Sequence, residues 1–229
     1  FFRRLRSRPM TIEPNNARVS DLTLEGILAP GGSLAGLLPN YEHRSSQLKL
    51  SQAIHQSLTN RKILLTEAGT GTGKTLAYLV PAWLSGKRVV ISTATKNLQD
   101  QIFFKDIPLL RGAVDTEISA ALLKGRSTYV CLARYEQFCK APTFASPGDV
   151  RVWEQFRTWV SSTDTGDRSL SSVPDHWEAW NRVSTNSDNC TGSACQFFES
   201  CFVTRARRLA EDSRLIIVNH ALFFADLSL

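Results

Sequence analysis

The feature that most constrains the fold is a glycine-rich turn at residues 67–75, with the sequence Glu-Ala-Gly-Thr-Gly-Thr-Gly-Lys-Thr. An apolar run from Ile63 to Leu65 precedes the turn, and apolar residues at helical spacing follow it from Leu76 onwards. We interpret the segment as a buried strand, a phosphate-binding loop and a helix. Because such units pack beside parallel neighbours, the turn predicts an α/β fold with a parallel sheet flanked by helices.

Elementary chemistry gives roles to the residues of this turn. Glycines lack a Cβ, so backbone N–H groups can close around phosphate oxygens. Lys74 is placed to reach the β- and γ-phosphates of a nucleotide, and the Thr75 hydroxyl to hold Mg²⁺, so we take these two as the catalytic residues. The helix start adds unpaired N–H groups and its dipole. The predicted nucleotide-binding residues of the turn are Ala68, Gly69, Thr70, Gly71, Thr72, Gly73, Lys74, Thr75 and Leu76. Ala68 stands where the general pattern has a first Gly.

Composition indicates a soluble globular protein, with 42% hydrophobic and 21% charged residues among 229. No apolar run is long enough to span a bilayer, and no signal peptide is visible, so we expect a cytoplasmic protein without a membrane partner. The net charge of +6 owes much to Arg3, Arg4, Arg6 and Arg8, and the other basic residues nearly balance the acidic ones. Net charge is therefore weak evidence for nucleic acid binding.

Changes in pattern along the chain predict its domain organisation. Residues 1–40, which contain Pro, Gly and Asn, form a partly disordered lead-in with little regular structure. Residues 41–123 are the first part of a P-loop domain. Residues 124–212 lose the alternation of strands and helices and form an insertion, mainly helical or irregular. Residues 213–229 return to the P-loop domain.

Hydrophobic periodicity predicts the elements of the P-loop domain. A helix over residues 45–59 carries Leu50, Ile54 and Leu58 on one apolar face. Apolar runs predict strands at residues 88–93 and 215–218, and a helix follows the first of them over 94–103. Residues 115–124 are a third strand or a short helix.

The start of the helix at residue 94 is a second candidate phosphate site. Ser92 and Thr93 place hydroxyls beside free N–H groups, an arrangement that suits a phosphate of a nucleic acid backbone. Ordinary N-capping by Ser or Thr explains the same residues equally well. Around the start of the 45–59 helix, the side chains of Tyr41, Arg44 and Gln47 make contacts to the edge of an adenine base possible.

The cysteines form a third candidate site. Cys190, Cys195 and Cys201 make a tight triplet, and Cys131 is a remote fourth thiol. Zinc sites usually contain Cys-x2-Cys pairs, whereas these wider steps fit a larger object such as a cubane iron–sulfur cluster. Zinc, reduced structural cysteines and a redox pair remain open on spacing alone.

Two further features of the insertion have structural interpretations. Cys139 lies on a predicted helix, where we expect it to pack against other residues. After the triplet, a helix is predicted with Phe202, Ala206 and Leu209 inward and the basic Arg205 and Arg208 outward. The basic face could follow a phosphate backbone or be an ordinary solvated surface.

Taken together, these segments resemble one family. Tyr41-x-x-Arg44-x-x-Gln47, the 67–75 turn, residues 92–101, the Cys131 segment 123–131, the cysteine triplet and Val218-Asn219-His220-x-Leu222 occur in the order found in XPD/DinG-type superfamily 2 iron–sulfur DNA helicases. Residues 188–195 are most similar to the bacterial YoaA branch of that family. Ala at the position of Ala68 is ordinary in the family.

The resemblance implies a RecA-like fold and an ATP-dependent helicase that moves 5′→3′ on single-stranded and forked DNA, in DNA repair or replication with unidentified protein partners. ATP, Mg²⁺ and a [4Fe–4S] cluster would be its cofactors. The matching positions are Tyr41, Arg44 and Gln47 for adenine, Thr93, Thr95 and Lys96 for DNA, and Cys131, Cys190, Cys195 and Cys201 for the cluster.

The 229 residues contain no Asp-Glu dipeptide, so the Asp-Glu-Ala-His box of the resembled family is missing. We therefore expect the chain to be a front portion that binds nucleotide without turning it over, since phosphoryl transfer depends on such positioned charges. Two alternatives remain: a P-loop ATPase with a zinc-binding insertion that binds DNA or a partner without unwinding, and a non-enzymatic binding module built on the cysteines.

Overall fold

The computed structural model describes residues 1–2, 5 and 22–227, so the four arginines near the start and the predicted lead-in between residues 6 and 21 lie outside the described residues. The chain forms two compact units. We name residues 1–122 with 210–229 the P-loop unit, and residues 123–209 the cysteine unit. Within the described residues, no helix is both long and apolar enough to cross a membrane.

The α-helices and β-strands follow one another along the described chain as α1 (Leu24–Leu28), α2 (Ser33–Leu37), α3 (Ser45–Asn60), α4 (Lys74–Leu84), β1 (Val89–Thr93), α5 (Lys96–Gln101), α6 (Ile107–Val114), β2 (Ala120–Leu123), α7 (Leu132–Lys140), α8 (Pro147–Ser162), α9 (Trp180–Val183), α10 (Phe202–Asp212), β3 (Leu215–Asn219) and α11 (His220–Leu227). A π-helical stretch, Ile102–Asp106, joins α5 to α6, so the helix predicted over 94–103 continues further.

A three-stranded parallel sheet forms the centre of the P-loop unit, in the order β1–β3–β2. The predicted strands at 88–93 and 215–218 are confirmed, and the segment 115–124 proves to contain strand β2 rather than a helix. β1 and β3 pair in parallel from Val89 opposite Leu215 to Thr93 opposite Asn219. Four successive residues of β3 are buried, as expected for a central strand covered by helices on both faces. The α/β fold with a parallel sheet is therefore confirmed.

The described part of the lead-in is more ordered than its composition indicates. Thr23 caps α1 by accepting a hydrogen bond from Gly26 N at 3.0 Å. Ile27, Leu28 and Leu34 are almost completely buried in the core of the P-loop unit. The prediction of little regular structure is wrong for these residues because two short apolar helices cover the core despite the Pro-Gly-Gly turn between them.

The expected strand at Ile63–Leu65 is wrong for the described structure. Residues 62–69 have no regular secondary structure, and the Ile63 and Leu65 side chains are 100% and 96% exposed. A strand requires a neighbour to satisfy its backbone N–H and C=O groups, and no strand among the described residues pairs with this run. An apolar sequence alone is therefore insufficient to form the strand.

The helix predicted over 45–59 is confirmed as α3, but its buried face differs from the predicted one. The buried residues are Gln47 and Ser51, whereas Leu50, Ile54 and Leu58 are only half-buried. The Ser51 hydroxyl donates a 2.7 Å hydrogen bond to the Ala77 carbonyl of α4. Short polar side chains occupy this face because they satisfy backbone groups of the neighbouring helix, which apolar periodicity cannot reveal.

The cysteine unit has its own aromatic core. Trp153 and Phe156 on α8 pack against Trp177 and Trp180, with ring centroids between 5.2 and 6.4 Å apart. The α8 helix begins with a capping box, in which Ser146 Oγ accepts from Asp149 N and the Asp149 carboxylate accepts from Ser146 N. The unit thus has a helical framework that holds the loops carrying the cysteines.

Two packing predictions in the cysteine unit are wrong. The Cys139 side chain, expected to pack, is exposed at the last turn of α7. On α10, Phe202 is buried as predicted, but Leu209 is 56% exposed and the neighbouring Ala210 is buried instead. Ala210 already belongs to the P-loop unit, so its burial lies outside the cysteine unit in which Leu209 was expected to pack.

Candidate nucleotide site and cysteine site

The phosphate loop has the backbone geometry that its glycines allow. Gly71 and Gly73 both have a φ of +74°, a conformation that costs a residue with a Cβ free energy. Gly73 is the N-cap of α4, so Lys74 and Thr75 open the helix as predicted. The Thr72 hydroxyl closes the turn with a 3.0 Å hydrogen bond to the Gly69 carbonyl. The loop therefore presents backbone N–H groups and a helix N-terminus on its concave side.

The Lys74 ammonium bends back over this loop. Its Nζ donates hydrogen bonds to the carbonyl oxygens of Ala68 at 2.8 Å and Gly69 at 2.6 Å, while the side chain stays exposed. A cation at this point can move from carbonyl oxygens to phosphate oxygens, which carry full negative charge and make stronger hydrogen bonds.

Gln47 is the one predicted adenine residue that the structure joins to the phosphate loop. Its Nε2 donates a 2.9 Å hydrogen bond to the Gly73 carbonyl, and the side chain is 5% exposed. A Cβ on Gly73 would lie 2.3 Å from Gln47 Nε2 and would displace this side chain, and the φ of +74° independently favours glycine at this position. The helix that precedes the loop thereby fixes the N-cap of the helix that follows it.

Tyr41 and Arg44 make other contacts. The Tyr41 hydroxyl donates to the Leu28 carbonyl at 2.6 Å, and burial raises the pKa of Tyr41. The Arg44 guanidinium donates to the Glu42 carboxylate at 2.8 Å in an exposed pair, and that hydrogen bond lowers the pKa of Glu42. Their role in adenine binding stays a prediction.

Sequence reasoning missed a residue beside Thr75. Tyr78 lies one helical turn after Thr75 on α4, and burial raises its pKa, while a hydrogen bond to the Thr75 side chain acts in the opposite direction. The negative charge of Asp106 raises the Tyr78 pKa further. Spacing of i and i+3 on a helix is the sequence signal that could have found this contact.

The predicted DNA residues lie at the carboxyl end of β1. Helix α5 begins at Lys96 rather than at residue 94, and its N-cap is Thr95 rather than Ser92 or Thr93, with Thr95 Oγ1 accepting a 3.2 Å hydrogen bond from Leu98 N. Thr93 donates to the Thr95 carbonyl at 3.1 Å, and Lys96 is exposed. The hydroxyl of Thr95 is therefore engaged in capping α5. The exposed Lys96 ammonium can approach a phosphate.

The adjacent strand adds a residue pair at the same edge. Ser92 Oγ and His220 Nδ1 lie 2.7 Å apart, joining the ends of β1 and β3. Asn219 Oδ1 accepts from Leu222 N at 2.7 Å and so caps α11. His220 belongs to the segment that carries the family resemblance, and its contact with Ser92 follows from the parallel pairing of the two strands.

All five cysteines are free thiols, and the four predicted ligands are half-buried. Cys131 lies immediately before α7. Burial raises the pKa of the Cys131 thiol, the N–H groups of Arg134 and Ala133 lower it, and the charges of Cys195 and Cys201 raise it further. The charges of Cys195 and Cys201 therefore act on Cys131, whereas Cys190 makes no such contribution. Among the described residues, no three His, Cys, Asp or Glu side chains are close enough to hold a metal ion.

The chain resembles known proteins over most of its length. Residues 49–146 match the family model of the DEAD/DEAH box helicases. The chain is 42% identical to the ATP-dependent DNA helicase YoaA of Escherichia coli K12 over 205 residues, which cover 87% of this chain and 31% of that protein. It is 35% identical to YoaA of Haemophilus influenzae, over 90% of this chain and 32% of the relative.

The chain is thus similar to proteins named YoaA and DinG. It also shares 34% identity with a Bacillus subtilis protein named 3'-5' exonuclease DinG, over 85% of this chain and 21% of that protein. The matched region is therefore common to proteins whose names describe different activities. The chain spans about a third or less of the length of the curated relatives it matches.

Proposed function

We propose that the chain is the nucleotide-binding front portion of an ATP-dependent DNA helicase that moves 5′→3′ on single-stranded and forked DNA and acts in DNA repair or replication. The observation that carries the proposal is the phosphate loop. It contains two glycines with positive φ and is followed by a helix whose first two residues are Lys74 and Thr75. Similarity to proteins named ATP-dependent DNA helicase supports it.

In this proposal the loop holds the triphosphate of ATP. Backbone N–H groups of the loop and the start of α4 bind phosphate oxygens, and Lys74 leaves the Ala68 and Gly69 carbonyls to pair with the β- and γ-phosphates. The Thr75 hydroxyl holds Mg²⁺. Gln47 keeps the Gly73 carbonyl in place while the adenine is bound nearby.

The carboxyl edge of β1 and β3 is the proposed DNA contact. Lys96 supplies a phosphate partner, whereas Thr93 and Thr95 shape the turn that presents it. Contacts of this kind fix the position of a strand without reading its bases, which suits an enzyme that must move along any sequence.

The cysteine unit holds a [4Fe–4S] cluster in this proposal. Cys131, Cys190, Cys195 and Cys201 supply the four thiolates, and all four are free and half-buried. The fit is supported by the charges of Cys195 and Cys201, which raise the pKa of the Cys131 thiol and so act on it across the folded unit. When bound, the cluster cross-links segments that are far apart in sequence and thereby stabilises the unit.

The zinc alternative has less support. A zinc ion draws four ligands around one small centre, whereas a cubane cluster with one thiolate on each iron spreads its ligands further apart. The sequence steps from Cys190 to Cys195 and from Cys195 to Cys201 are wider than the Cys-x2-Cys pairs usual in zinc sites, which favours the larger centre.

Equilibrium binding of a fluorescent ATP analogue with Mg²⁺ tests the nucleotide site. Lys74→Ala should weaken binding by about tenfold or more, because a charge-assisted contact to phosphate is lost. Lys62→Ala removes an exposed lysine close to the loop in sequence and is the matched control, which should leave affinity unchanged. Equal affinity of Lys74→Ala and the wild type would contradict the proposed site.

A further inference from the structure

The cysteine unit contains a connecting segment at residues 163–169 with an unusual pattern of burial. We name it the 163–169 loop. Its central residues, Gly166 and Asp167, are buried, although the flanking Asp164 and Thr165 are exposed. A buried glycine and a buried carboxylate in a connecting loop call for an explanation, because loops normally stay at the surface.

The loop holds the backbone immediately before Cys131. Val130 N donates a 2.9 Å hydrogen bond to the Gly166 carbonyl, and Tyr129 forms an antiparallel bridge with Asp167. Cys131 N in turn donates to the Val183 carbonyl at 2.8 Å. The Cys131 segment is therefore held by backbone hydrogen bonds on two sides, and one of those sides is the 163–169 loop.

The same loop also packs against Phe202, the residue that follows Cys201. Gly166 has a φ of +62°, and a Cβ on it would lie 2.3 Å from Cδ2 of the Phe202 ring. Phe202 is 6% exposed and directly follows Cys201. The absence of a side chain at Gly166 therefore lets the Phe202 ring pack on the loop, so one glycine contacts the segments of two predicted cluster ligands.

A buried ion pair fixes the loop in this position. Lys124 Nζ lies 2.7 Å from Asp167 Oδ2, with side chains that are 0% and 6% exposed. Lys124 also donates to Ser169 Oγ at 2.6 Å, and Asp167 Oδ1 accepts from Ser169 N and Oγ at 2.9 Å. The Lys124 ammonium and the Asp167 carboxylate are both satisfied by these hydrogen bonds. Removing either charge would leave the other one buried without its counter-charge.

We propose that the 163–169 loop is a bracket that sets the separation of Cys131 and Cys201, with Gly166 as the contact point and the Lys124–Asp167 pair as its lock. Gly166, Asp167 and Lys124 are positioning residues that act on the thiolates through the backbone. The inference rests on the proposed cluster. Supporting partners of metal ligands usually affect how tightly the centre is held, and the bracket has this role.

The test compares the rate of cluster loss with global stability. The 229-residue chain is purified without air, its iron and sulfide are counted, and the visible absorbance is followed after addition of a chelator. Asp167→Asn keeps the size of the side chain but removes its charge, and should lose the cluster about tenfold faster than the wild type or more. Asp164→Asn, an exposed carboxylate in the same loop, is the matched control and should behave as the wild type.

A second variant separates positioning from loss of folding. Gly166→Ala should lower iron content and accelerate cluster loss, whereas Gly31→Ala, at a glycine with a φ of +78° in open space, should not. Circular dichroism and the unfolding midpoint of each apo variant report any general destabilisation. If the wild type holds a cluster and Asp167→Asn and Gly166→Ala release it at the wild-type rate, the bracket is refuted and the cluster stands. If the wild type binds neither iron nor sulfide, the proposed cluster fails and the bracket fails with it.

Discussion

The candidate site of the P-loop unit is built from residues that are neighbours in sequence, whereas the candidate site of the cysteine unit is built from residues far apart in sequence. In the P-loop unit, the predicted phosphate ligands are neighbours within residues 68–76, and the stereochemistry of Gly71 and Gly73 shapes the loop locally. In the cysteine unit, the backbone at Cys131 is held by hydrogen bonds to Gly166 and Val183, which follow it much later in the chain. A local site can thus be inferred from a motif, whereas a dispersed site depends on the packing of its supports.

The comparison predicts that single-residue losses are most severe in the dispersed site. Cys195→Ser removes one of the four thiolates that would bind the cluster. Because the cluster needs all four thiolates to stay bound, the chain should lose most of its iron. Iron and sulfide analysis of the purified variant measures the effect. Cys139→Ser changes an exposed thiol outside the predicted set and should retain the wild-type iron content. Full iron content in Cys195→Ser would show that the ligand assignment is wrong.

In the local site, the largest effect is expected at Gly73. Gly73→Ala places a Cβ 2.3 Å from Gln47 Nε2 at a positive φ, and should weaken binding of a fluorescent ATP analogue by about tenfold or more. Gly69→Ala is the control, because its Cβ would have no atom closer than 3.9 Å and its φ is not in the left-handed region. Equal losses at the two glycines would contradict the role given to the Gln47 contact.

The two kinds of ion pair in the cysteine unit predict an effect on stability. Lys124→Met leaves Asp167 buried without its counter-charge and should lower the free energy of unfolding by about 3–5 kcal/mol. Lys140 lies 3.5 Å from Glu136 but is 74% exposed, so Lys140→Met should cost no more than about 0.5 kcal/mol. Denaturant unfolding followed by tryptophan fluorescence checks both values, since four of the five Trp lie in this unit. A similar small cost for both variants would show that the Lys124 pair does not lock the loop.

The smallest predicted effect concerns Thr95, which is the N-cap of α5 in the structure and a predicted DNA contact. If its hydroxyl serves as an N-cap, Thr95→Ala should lower the free energy of unfolding by about 1 kcal/mol, and Thr95→Ser should restore most of it. Denaturant unfolding measures the change. Binding of forked DNA at low salt is measured on the same variants. Weaker DNA binding by Thr95→Ala at unchanged stability would favour a direct contact over the cap.

The same contrast explains how much could be predicted from the sequence. Strands β1 and β3 and helices α3, α4 and α10 follow from apolar runs, and the phosphate loop follows from its glycines, because these signals are local. The Ile63–Leu65 strand could not be predicted reliably, since a strand depends on a partner elsewhere in the chain. The burial of Gln47 and Ser51 could not be predicted for a related reason, because it depends on the carbonyl groups of Gly73 and Ala77.

In the cysteine unit, the sequence identified the four thiols but not what supports them. Neither the burial of Asp167 nor the contact of Gly166 with Phe202 has a periodic signal, because each arises from segments that meet only in the folded chain. Cys139 shows the converse error, as a cysteine on a helix was expected to pack and is exposed. Composition identifies candidate ligands, and only the folded structure shows which of them lie near each other.

The central claim is that a nucleotide cradle and a thiolate-held iron–sulfur centre belong to the same chain. The most direct test is to purify the 229-residue chain without air and measure iron, acid-labile sulfide, zinc and the visible spectrum on one sample. The account predicts a brown protein that absorbs at about 400 nm and contains about four irons and four sulfides per chain. A colourless protein with about one zinc per chain and no sulfide would contradict it.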